Sequence, residues 1–247
     1  MTAPAPTSPT TPGPVLPGEI VPPLRPPEGG LRREMDRMVR APVSAARPVL
    51  VVGGWRAPAL AARGLASRLA RLVGGGEFAG CGIAPCWSLE SAGDRVRTAA
   101  RARWGETPID IVAVSMGGLA ARLAAIQGLA IARLFTLGTP HRGARLARWF
   151  PVDAAVRAMR PGSALLARLD EGLSGAGYEL VCYARLRDSW VGARNCAPPG
   201  WPLIWKPGPI VLAHQTISLD GLIAVDIARR VRGEPPLAGA PSEPPSD

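Results

Sequence analysis

A serine stands at a strand-to-helix junction in residues 109–122, which read IDIVAVSMGGLAAR. The first six residues form an apolar run typical of a buried strand, and apolar positions recur at helical spacing after Ser115. A serine at such a junction either caps the helix with its hydroxyl or acts as a nucleophile on a strained turn. That turn needs small residues two positions to either side, and Ala113 and Gly117 satisfy this requirement. The motif alone leaves both interpretations open.

A serine nucleophile needs a general base, and the chain has two histidines, His141 and His214. In an α/β-hydrolase arrangement, which this serine turn resembles, the order along the chain is serine, acid and histidine, with the acid after one late strand and the histidine after the last. His214 follows the apolar run PIVLA and precedes the final predicted helix. His141 lies too early, in the turn TPHRG. We therefore predict that His214 is the base.

The acid that orients this histidine should follow the strand predicted at YELVCYA, and Asp188 does so after a short turn. Its carboxylate would hold the imidazole in the correct tautomer and stabilise the imidazolium that forms when Ser115 loses its proton. The remaining candidate carboxylates lie before that strand or in the final helix, where solvated or capping roles are expected. They are Asp153, Asp170, Glu171, Asp220 and Asp226.

The negative charge that develops on a carbonyl oxygen during attack needs two backbone N–H donors. Met116 would supply one, because it follows the serine at the start of the helix. The loop after the first core strand, VVGGWRAP, should supply the second, and Trp55 is the best candidate. Gly53 and Gly54 would let the backbone approach, although glycines are also common in an ordinary strand-to-helix turn.

The segments that must position these residues alternate between strand and helix patterns from residue 48 onward. This alternation predicts an α/β fold with a mostly parallel sheet flanked by helices. Strands are predicted at PVLVVGGW, IDIVAV, IARLFTLGTP, YELVCYA and PIVLAHQ, with a weaker candidate at GIAPCW. Helices are predicted in GLRREMDRMVRA, APALAARGLASRLARLV, residues 90–104, the segment after Ser115, and LDGLIAVDIARRV.

Composition divides the chain into a domain and two tails. Residues 1–29 and 233–247 are rich in proline and poor in large apolar groups, so they are predicted to be disordered tails around a domain at 30–232. No apolar stretch approaches the roughly 18 residues of a membrane span, and the N-terminus lacks the pattern of a secretory signal. We therefore expect a cytoplasmic protein whose contact with membranes is peripheral at most.

The net charge of +10 raises the question of binding to nucleic acid or to an anionic membrane. Lys206 is the only lysine, so the excess is almost wholly arginine, and it is spread through every segment. This distribution favours solvated helix faces over either a nucleic-acid or an anionic-membrane partner. The four cysteines lack the C-x-x-C spacing of zinc or redox sites, and no metal or cofactor is expected.

Several motifs together resemble a known group. They occur in the order PVLVVGGW, IDIVAVSMGGLAAR, LFTLGTPHRG, MRPGSALLARLD, RDSWVG and LAHQTI. The chain resembles α/β-hydrolase lipases and esterases of the triacylglycerol-lipase and GPI inositol-deacylase-like type over about residues 31–231. The resemblance implies the α/β-hydrolase fold and carboxylic ester hydrolysis. It assigns Ser115 as nucleophile, Asp188 as acid, His214 as base, and Trp55 and Met116 as oxyanion donors.

In the resembling enzymes, the stretch corresponding to about residues 143–173 covers the active site as a short helical cap. An apolar cap implies an acyl or lipid ester as substrate, although the same pattern fits helices packed on the domain. The residues expected to contact substrate are Gly54, Trp149, Phe150 and Trp190. The family usually has His-Gly at Gly53-Gly54 and glycine at Ala113, so the chain departs from it at two positions.

These observations predict a serine ester hydrolase that works through an acyl-enzyme. The same residues would also serve an acyltransferase, a thioesterase or an amidase, since the first chemical step is shared. A binding module that kept the fold without catalysis is the alternative from another class. The oligomeric state is left open by the sequence.

Overall fold

The computed structural model describes residues 21–150 and 152–245. Its centre is a six-stranded parallel sheet with the strand order β4-β2-β5-β6-β7-β8. These strands are β2 (Val49–Val52), β4 (Phe78–Cys81), β5 (Ile109–Val114), β6 (Ile131–Leu137), β7 (Glu179–Arg185) and β8 (Leu203–Lys206). The short strands β1 (Val43–Ser44) and β3 (Gly74–Gly75) form a separate parallel pair.

Helices cover both faces of the sheet. They are α1 (Leu31–Arg40), α2 (Ala59–Val73), α3 (Leu89–Trp104), α4 (Met116–Ile126), α5 (Arg145–Trp149), α6 (Ala154–Ala158), α7 (Ala164–Leu173) and α8 (Gly221–Val231). Successive strand residues point to opposite faces, so Leu50 and Val52 pack with α3, α4 and α7, whereas Val49 and Val51 pack with α1, α2 and α8. Burial on both faces explains why the strands read as continuous apolar runs.

Two strand predictions were wrong in position. The first sheet-edge strand is β4, at FAGC, and not the GIAPCW segment that follows it. Gly80 interrupts the apolar pattern of β4: a Cβ on Gly80 would lie 2.5 Å from the backbone nitrogen of Arg63, so α2 packs against bare backbone there. The last strand is β8, and residues 209–215 form a loop in which Ile210 and Val211 are exposed. An apolar run therefore indicated a strand where the side chains face solvent.

The described parts of the two segments predicted as tails, 1–29 and 233–247, contact the domain. Leu24 is buried, and it forms an antiparallel bridge with Ala238. The backbone N–H of Leu24 also donates to the carbonyl of Trp205 in β8. The rest of both segments lies outside the described residues. Within the described part of the chain, no helix is both long and apolar enough to cross a bilayer.

Candidate active site

Ser115 occupies a strained turn between β5 and α4. Its backbone has φ 52° and ψ −126°, a conformation that costs a non-glycine residue about 1–3 kcal/mol. The surroundings hold the turn: the N–H of Ser115 donates to Leu137 O at 2.8 Å, and Thr139 Oγ1 donates to Ser115 O at 2.8 Å. The hydroxyl makes no capping hydrogen bond to α4. The helix-cap interpretation of Ser115 is therefore wrong in this structure.

The first turn of α4 is packed so closely that it requires glycine. A Cβ on Gly117 would lie 2.4 Å from the carbonyl oxygen of Gly53, and one on Gly118 would lie 2.2 Å from Thr139 Oγ1. The loop after β2 and the loop after β6 therefore both pack directly against the backbone at the start of α4. This contact brings the loop after β2 against the serine: a Cβ on Gly54 would lie 3.3 Å from Ser115 Cβ.

A chain of hydrogen bonds links the serine to the predicted base and acid. His214 Nε2 lies 2.9 Å from Ser115 Oγ, and His214 Nδ1 lies 2.7 Å from Asp188 Oδ2. An ionised carboxylate only accepts hydrogen bonds, so Nδ1 carries the proton and Nε2 accepts from the serine hydroxyl. The ring of Trp190 stacks on His214 with centroids 5.3 Å apart, which fixes the plane of the imidazole.

Asp188 is held by its own loop. Its side chain is fully buried, and its second oxygen, Oδ1, accepts from the backbone N–H groups of Trp190 at 3.0 Å and Val191 at 2.9 Å. Both carboxylate oxygens are therefore used, one by the loop and one by His214. The loop thus fixes the orientation in which the carboxylate meets the imidazole.

The other candidates are occupied elsewhere. His141 is completely buried: its Nδ1 lies 3.0 Å from Arg122 Nη1 and its Nε2 lies 3.1 Å from Thr136 Oγ1. Asp153 and Asp220 cap α6 and α8, as expected for capping charges. Asp226 differs from the solvated or capping role predicted for it. It lies in α8 with its carboxylate buried, and it accepts hydrogen bonds from Tyr183, Arg230 and two backbone N–H groups.

Of the two predicted oxyanion donors, Met116 directly follows Ser115 and Trp55 lines the same cavity as Ser115. Met116 is the first residue of α4, so its N–H belongs to the helix end where backbone donors lack intrahelical acceptors. Trp55 follows Gly54 in the loop after β2, and its indole Nε1 donates to Asp153 Oδ2 at 3.0 Å. This side-chain contact was missed in the sequence, because the two residues are 98 positions apart and the capping pattern at Asp153 already accounted for its carboxylate.

A cavity of about 380 Å³ opens beside Ser115 and His214. The floor comes from Gly53, Gly54 and Trp55, and the cap supplies mostly apolar walls. The wall residues are Ala144, Leu146, Ala147, Phe150, Val152, Val156 and Met159 from the cap, with Trp190 and Val191 from the acid loop. Three of the predicted substrate contacts, Gly54, Phe150 and Trp190, line this cavity. Trp149 does not line it, and its side chain is 79% exposed.

The predicted cap is built from three short helices that differ in whether they contact the cavity. Residues of α5 and α6, and the segment between them, line the cavity. Helix α7 contributes no lining residue; Leu169, in its middle, accepts a hydrogen bond from Arg122 on α4 through its carbonyl oxygen. The part of the cap in contact with the cavity is therefore confined to about residues 144–159.

No protein-family model and no curated protein sequence matches the chain. Solved structures do match it. A lipase of Bacillus licheniformis, BlEst2 in mature form, has a TM-score of 0.54 and 15% identity over 72% of this chain and 91% of its own. Phospholipase PlaB of Legionella pneumophila has a TM-score of 0.58 and 12% identity over 74% of this chain. The esterase domain of a Rhodothermus marinus protein has a TM-score of 0.50 and 17% identity over 76% of this chain and 88% of its own.

These similarities show the fold. The chain has the α/β-hydrolase fold, as the order of its motifs predicted. It spans only 59% of the length of the Legionella phospholipase. The narrower resemblance to the triacylglycerol-lipase and GPI inositol-deacylase-like type stays a prediction.

Proposed function

We propose that the protein is a serine hydrolase that cleaves carboxylic esters through an acyl-enzyme intermediate. One observation carries the proposal: the hydroxyl of Ser115, on a strained turn, lies 2.9 Å from an imidazole whose other nitrogen contacts the buried carboxylate of Asp188. Strain at a non-glycine residue persists only where the surroundings impose it, and it is concentrated at functional sites. An apolar cavity that opens onto the same hydroxyl adds a place for the acyl group.

In the proposed reaction, Ser115 Oγ attacks the ester carbonyl carbon while His214 Nε2 takes the hydroxyl proton. The negative charge on the carbonyl oxygen is stabilised by the N–H groups of Trp55 and Met116. His214 then gives its proton to the departing alkoxide, which leaves as the alcohol. In the second half, His214 takes a proton from water, the resulting hydroxide attacks the acyl-enzyme, and Ser115 recovers its proton as the acid is released. Asp188 stabilises the imidazolium in both halves.

The lining of the cavity favours an acyl ester or lipid substrate. Its walls are built from alanine, leucine, valine, methionine and aromatic side chains of the cap and acid loop. Apolar walls of this kind gain free energy from burying an acyl chain, at about 25 cal/mol per Å² of apolar surface. Among the polar residues of the lining are Ser115 and His214, next to which the ester carbonyl would bind.

We also propose peripheral contact with an anionic membrane surface through the rim of the site. Large apolar side chains are exposed in α2, in the cap and in loops that lie close in sequence or space to residues lining the cavity: Leu60, Trp87, Trp149, Phe150, Val152, Ile210, Val211, Leu212 and Leu219. Exposed arginines accompany them, among them Arg148 beside Trp149 and Arg157 on α6. Apolar groups that insert between headgroups and cations that attract them together favour an anionic lipid surface.

The decisive experiment is labelling with a fluorophosphonate probe, followed by mass mapping of the adduct. We expect one adduct on Ser115, turnover of a short-to-long acyl ester panel, and no adduct on S115A. S115A, H214A and D188N should each lower kcat by roughly 10⁴-fold or more while the far-ultraviolet circular dichroism stays unchanged. Substantial turnover by S115A would contradict the proposal, and absence of any adduct on the wild-type protein would favour the binding module.

Product analysis separates hydrolysis from acyl transfer, because both share the acyl-enzyme. Ester turnover would be followed in water with increasing concentrations of a competing alcohol. Hydrolysis predicts free acid as the main product at low alcohol concentration. New ester as the main product under those conditions would favour an acyltransferase.

A further inference from the structure

We propose that Asp153, a residue of the cap, positions the oxyanion loop through the side chain of Trp55. The inference rests on the proposed ester hydrolysis and adds a positioning residue to it. The oxyanion loop is defined here as residues 53–57, which follow β2 and include the predicted donor Trp55. Asp153 comes from a distant part of the chain, where it is the N-cap residue of α6.

The oxyanion loop needs an outside restraint. It makes a tight turn, in which the N–H of Ala57 donates to Gly54 O at 3.2 Å, and Arg56 has a φ of 51°, in the left-handed region. That conformation is unfavourable for arginine, so the loop stores strain at the position next to the predicted donor. Gly53 and Gly54 have no side chains that would hold the turn.

The carboxylate of Asp153 provides this restraint. Its Oδ2 accepts from Trp55 Nε1 at 3.0 Å and lies 3.7 Å from Arg56 Nη2, while its Oδ1 accepts from the N–H of Val156 at 2.8 Å. The guanidinium of Arg56 lies 4.7 Å from the centroid of the Trp55 ring, which closes a triangle of three side chains. The Asp153 side chain is only 14% exposed, so these contacts are partly shielded from water.

The arrangement couples the cap to the reacting centre. One oxygen of Asp153 is fixed to α6 of the cap, and the other is fixed to the loop that would bind the oxyanion. The preceding Val152 and the nearby Phe150 line the cavity, so acyl chains that pack against them also hold Asp153 in place. A cap that moves away from the cavity would release Trp55. Full transition-state stabilisation therefore requires a closed cap.

The test compares W55F, D153S and the double variant. Phenylalanine keeps the ring of residue 55 but removes the indole donor, and serine keeps a capping hydroxyl for α6 but is too short to hold Trp55. We expect each single variant to lower kcat for a short ester about 10-fold, with KM within twofold of the wild type. The double variant should lose no more than either single one, because both break the same contact. W104F is the matched control, because it removes an indole donor that contacts the carboxylate of Glu77 at the end of α3, and Trp104 does not line the cavity, so kcat should stay unchanged.

Hydrogen–deuterium exchange gives a readout that does not depend on activity. The backbone amides of residues 53–57 should exchange faster in W55F and D153S than in the wild type and W104F. Unchanged kcat together with unchanged exchange would overturn the inference. If the wild-type protein neither reacted with the fluorophosphonate nor cleaved any ester, the proposed function would fail, and exchange of the loop would still decide whether Asp153 holds it.

Discussion

The two histidines of the chain have different partners, and these decide what each can do. His214 has a carboxylate on one nitrogen and a hydroxyl on the other, so it can take a proton from Ser115. His141 has the guanidinium of Arg122 on Nδ1, and a guanidinium only donates hydrogen bonds. Nδ1 of His141 must therefore accept, and Nε2 carries the proton toward Thr136. Burial and the nearby Arg122 hold the pKa of His141 well below its ordinary value of 6.5.

This lowered pKa predicts a loss of stability in acid. Below about pH 6.5, His141 becomes protonated in the unfolded chain but stays neutral in the folded protein. The free energy of unfolding therefore falls as the pH falls. His141 contributes at most about 1.4 kcal/mol per pH unit to the pH dependence of the free energy of unfolding. Above about pH 6.5 it contributes no pH dependence. Urea unfolding of wild type and H141N between pH 7.5 and 5.5 should show a smaller slope for H141N, whose amide oxygen still accepts from Arg122.

The control for this experiment is T136V, which removes the other hydrogen-bond partner of the ring without removing a titrating group. It should lower stability at every pH and leave the slope as in the wild type. Equal slopes for wild type and H141N would show that residue 141 is not the source of the pH dependence.

At the residue scale, sequence order predicted Ser115, Asp188 and His214 as nucleophile, acid and base, and these three side chains lie in hydrogen-bond contact. It could not reveal the contact between Trp55 and Asp153. The pattern around Asp153 predicted a capping or solvated charge. The capping role is correct for one carboxylate oxygen, because Oδ1 accepts from Val156 N. The contact of the other oxygen, Oδ2, with Trp55 joins two loops from distant parts of the chain, and only the packed fold sets the distance between them.

At the scale of elements, the start of α4 depends on how closely β2 and the loop after β6 approach it. Gly117 faces the carbonyl of Gly53, a backbone atom that cannot move aside as a flexible side chain can. Gly64, in α2, has open space where a Cβ would be placed. The same substitution at these two helical glycines should therefore have opposite effects.

G117A should lower the free energy of unfolding by about 1–3 kcal/mol through overpacking and should abolish most ester turnover, because the clash displaces the loop next to Ser115. G64A should raise the free energy of unfolding by about 0.4–1 kcal/mol through the smaller entropy of the unfolded chain, with activity unchanged. Chemical denaturation and steady-state kinetics check both. A G117A protein as stable and active as the wild type would contradict the close packing at the start of α4.

Sequence periodicity predicted the helices well and two strands poorly, for physical reasons. Helices α2 and α8 present a long apolar face to one layer of the core, and this pattern is visible over several turns. Strand β4 has only four residues and includes Gly80, where α2 approaches the backbone. The run at 209–215 is apolar but exposed. Periodicity reports which residues are apolar, and it does not report whether another layer covers them.

At the scale of the whole molecule, this exposed run joins the other uncovered apolar side chains around the mouth of the cavity. Ile210, Val211 and Leu212 precede His214 in its loop, and Trp149 and Phe150 end α5 of the cap. These residues come from separate parts of the chain and share the carboxyl-end side of the sheet, where the cavity opens. An exposed apolar rim next to a binding cavity is typical of an interaction surface.

The rim and the net charge of +10 together predict binding to anionic vesicles. Full-length protein should sediment with vesicles of phosphatidylglycerol and phosphatidylcholine, and should bind several-fold more weakly to phosphatidylcholine alone. Raising the salt from about 0.1 M to 1 M shortens the screening length from about 10 Å to 3 Å, so it should weaken the binding while the apolar contribution remains.

V211D places a charge in the rim and should reduce vesicle binding several-fold, because a carboxylate opposes both insertion and attraction to anionic headgroups. V39D is the matched control: Val39 is also exposed, but it lies on α1, away from the residues that line the cavity. Hydrolysis of a short water-soluble ester should be the same in both variants, since neither residue contacts the cavity. Equal vesicle binding by V211D and V39D would place the membrane contact elsewhere, and absence of binding to either vesicle would remove the membrane from the proposal while leaving ester hydrolysis untouched.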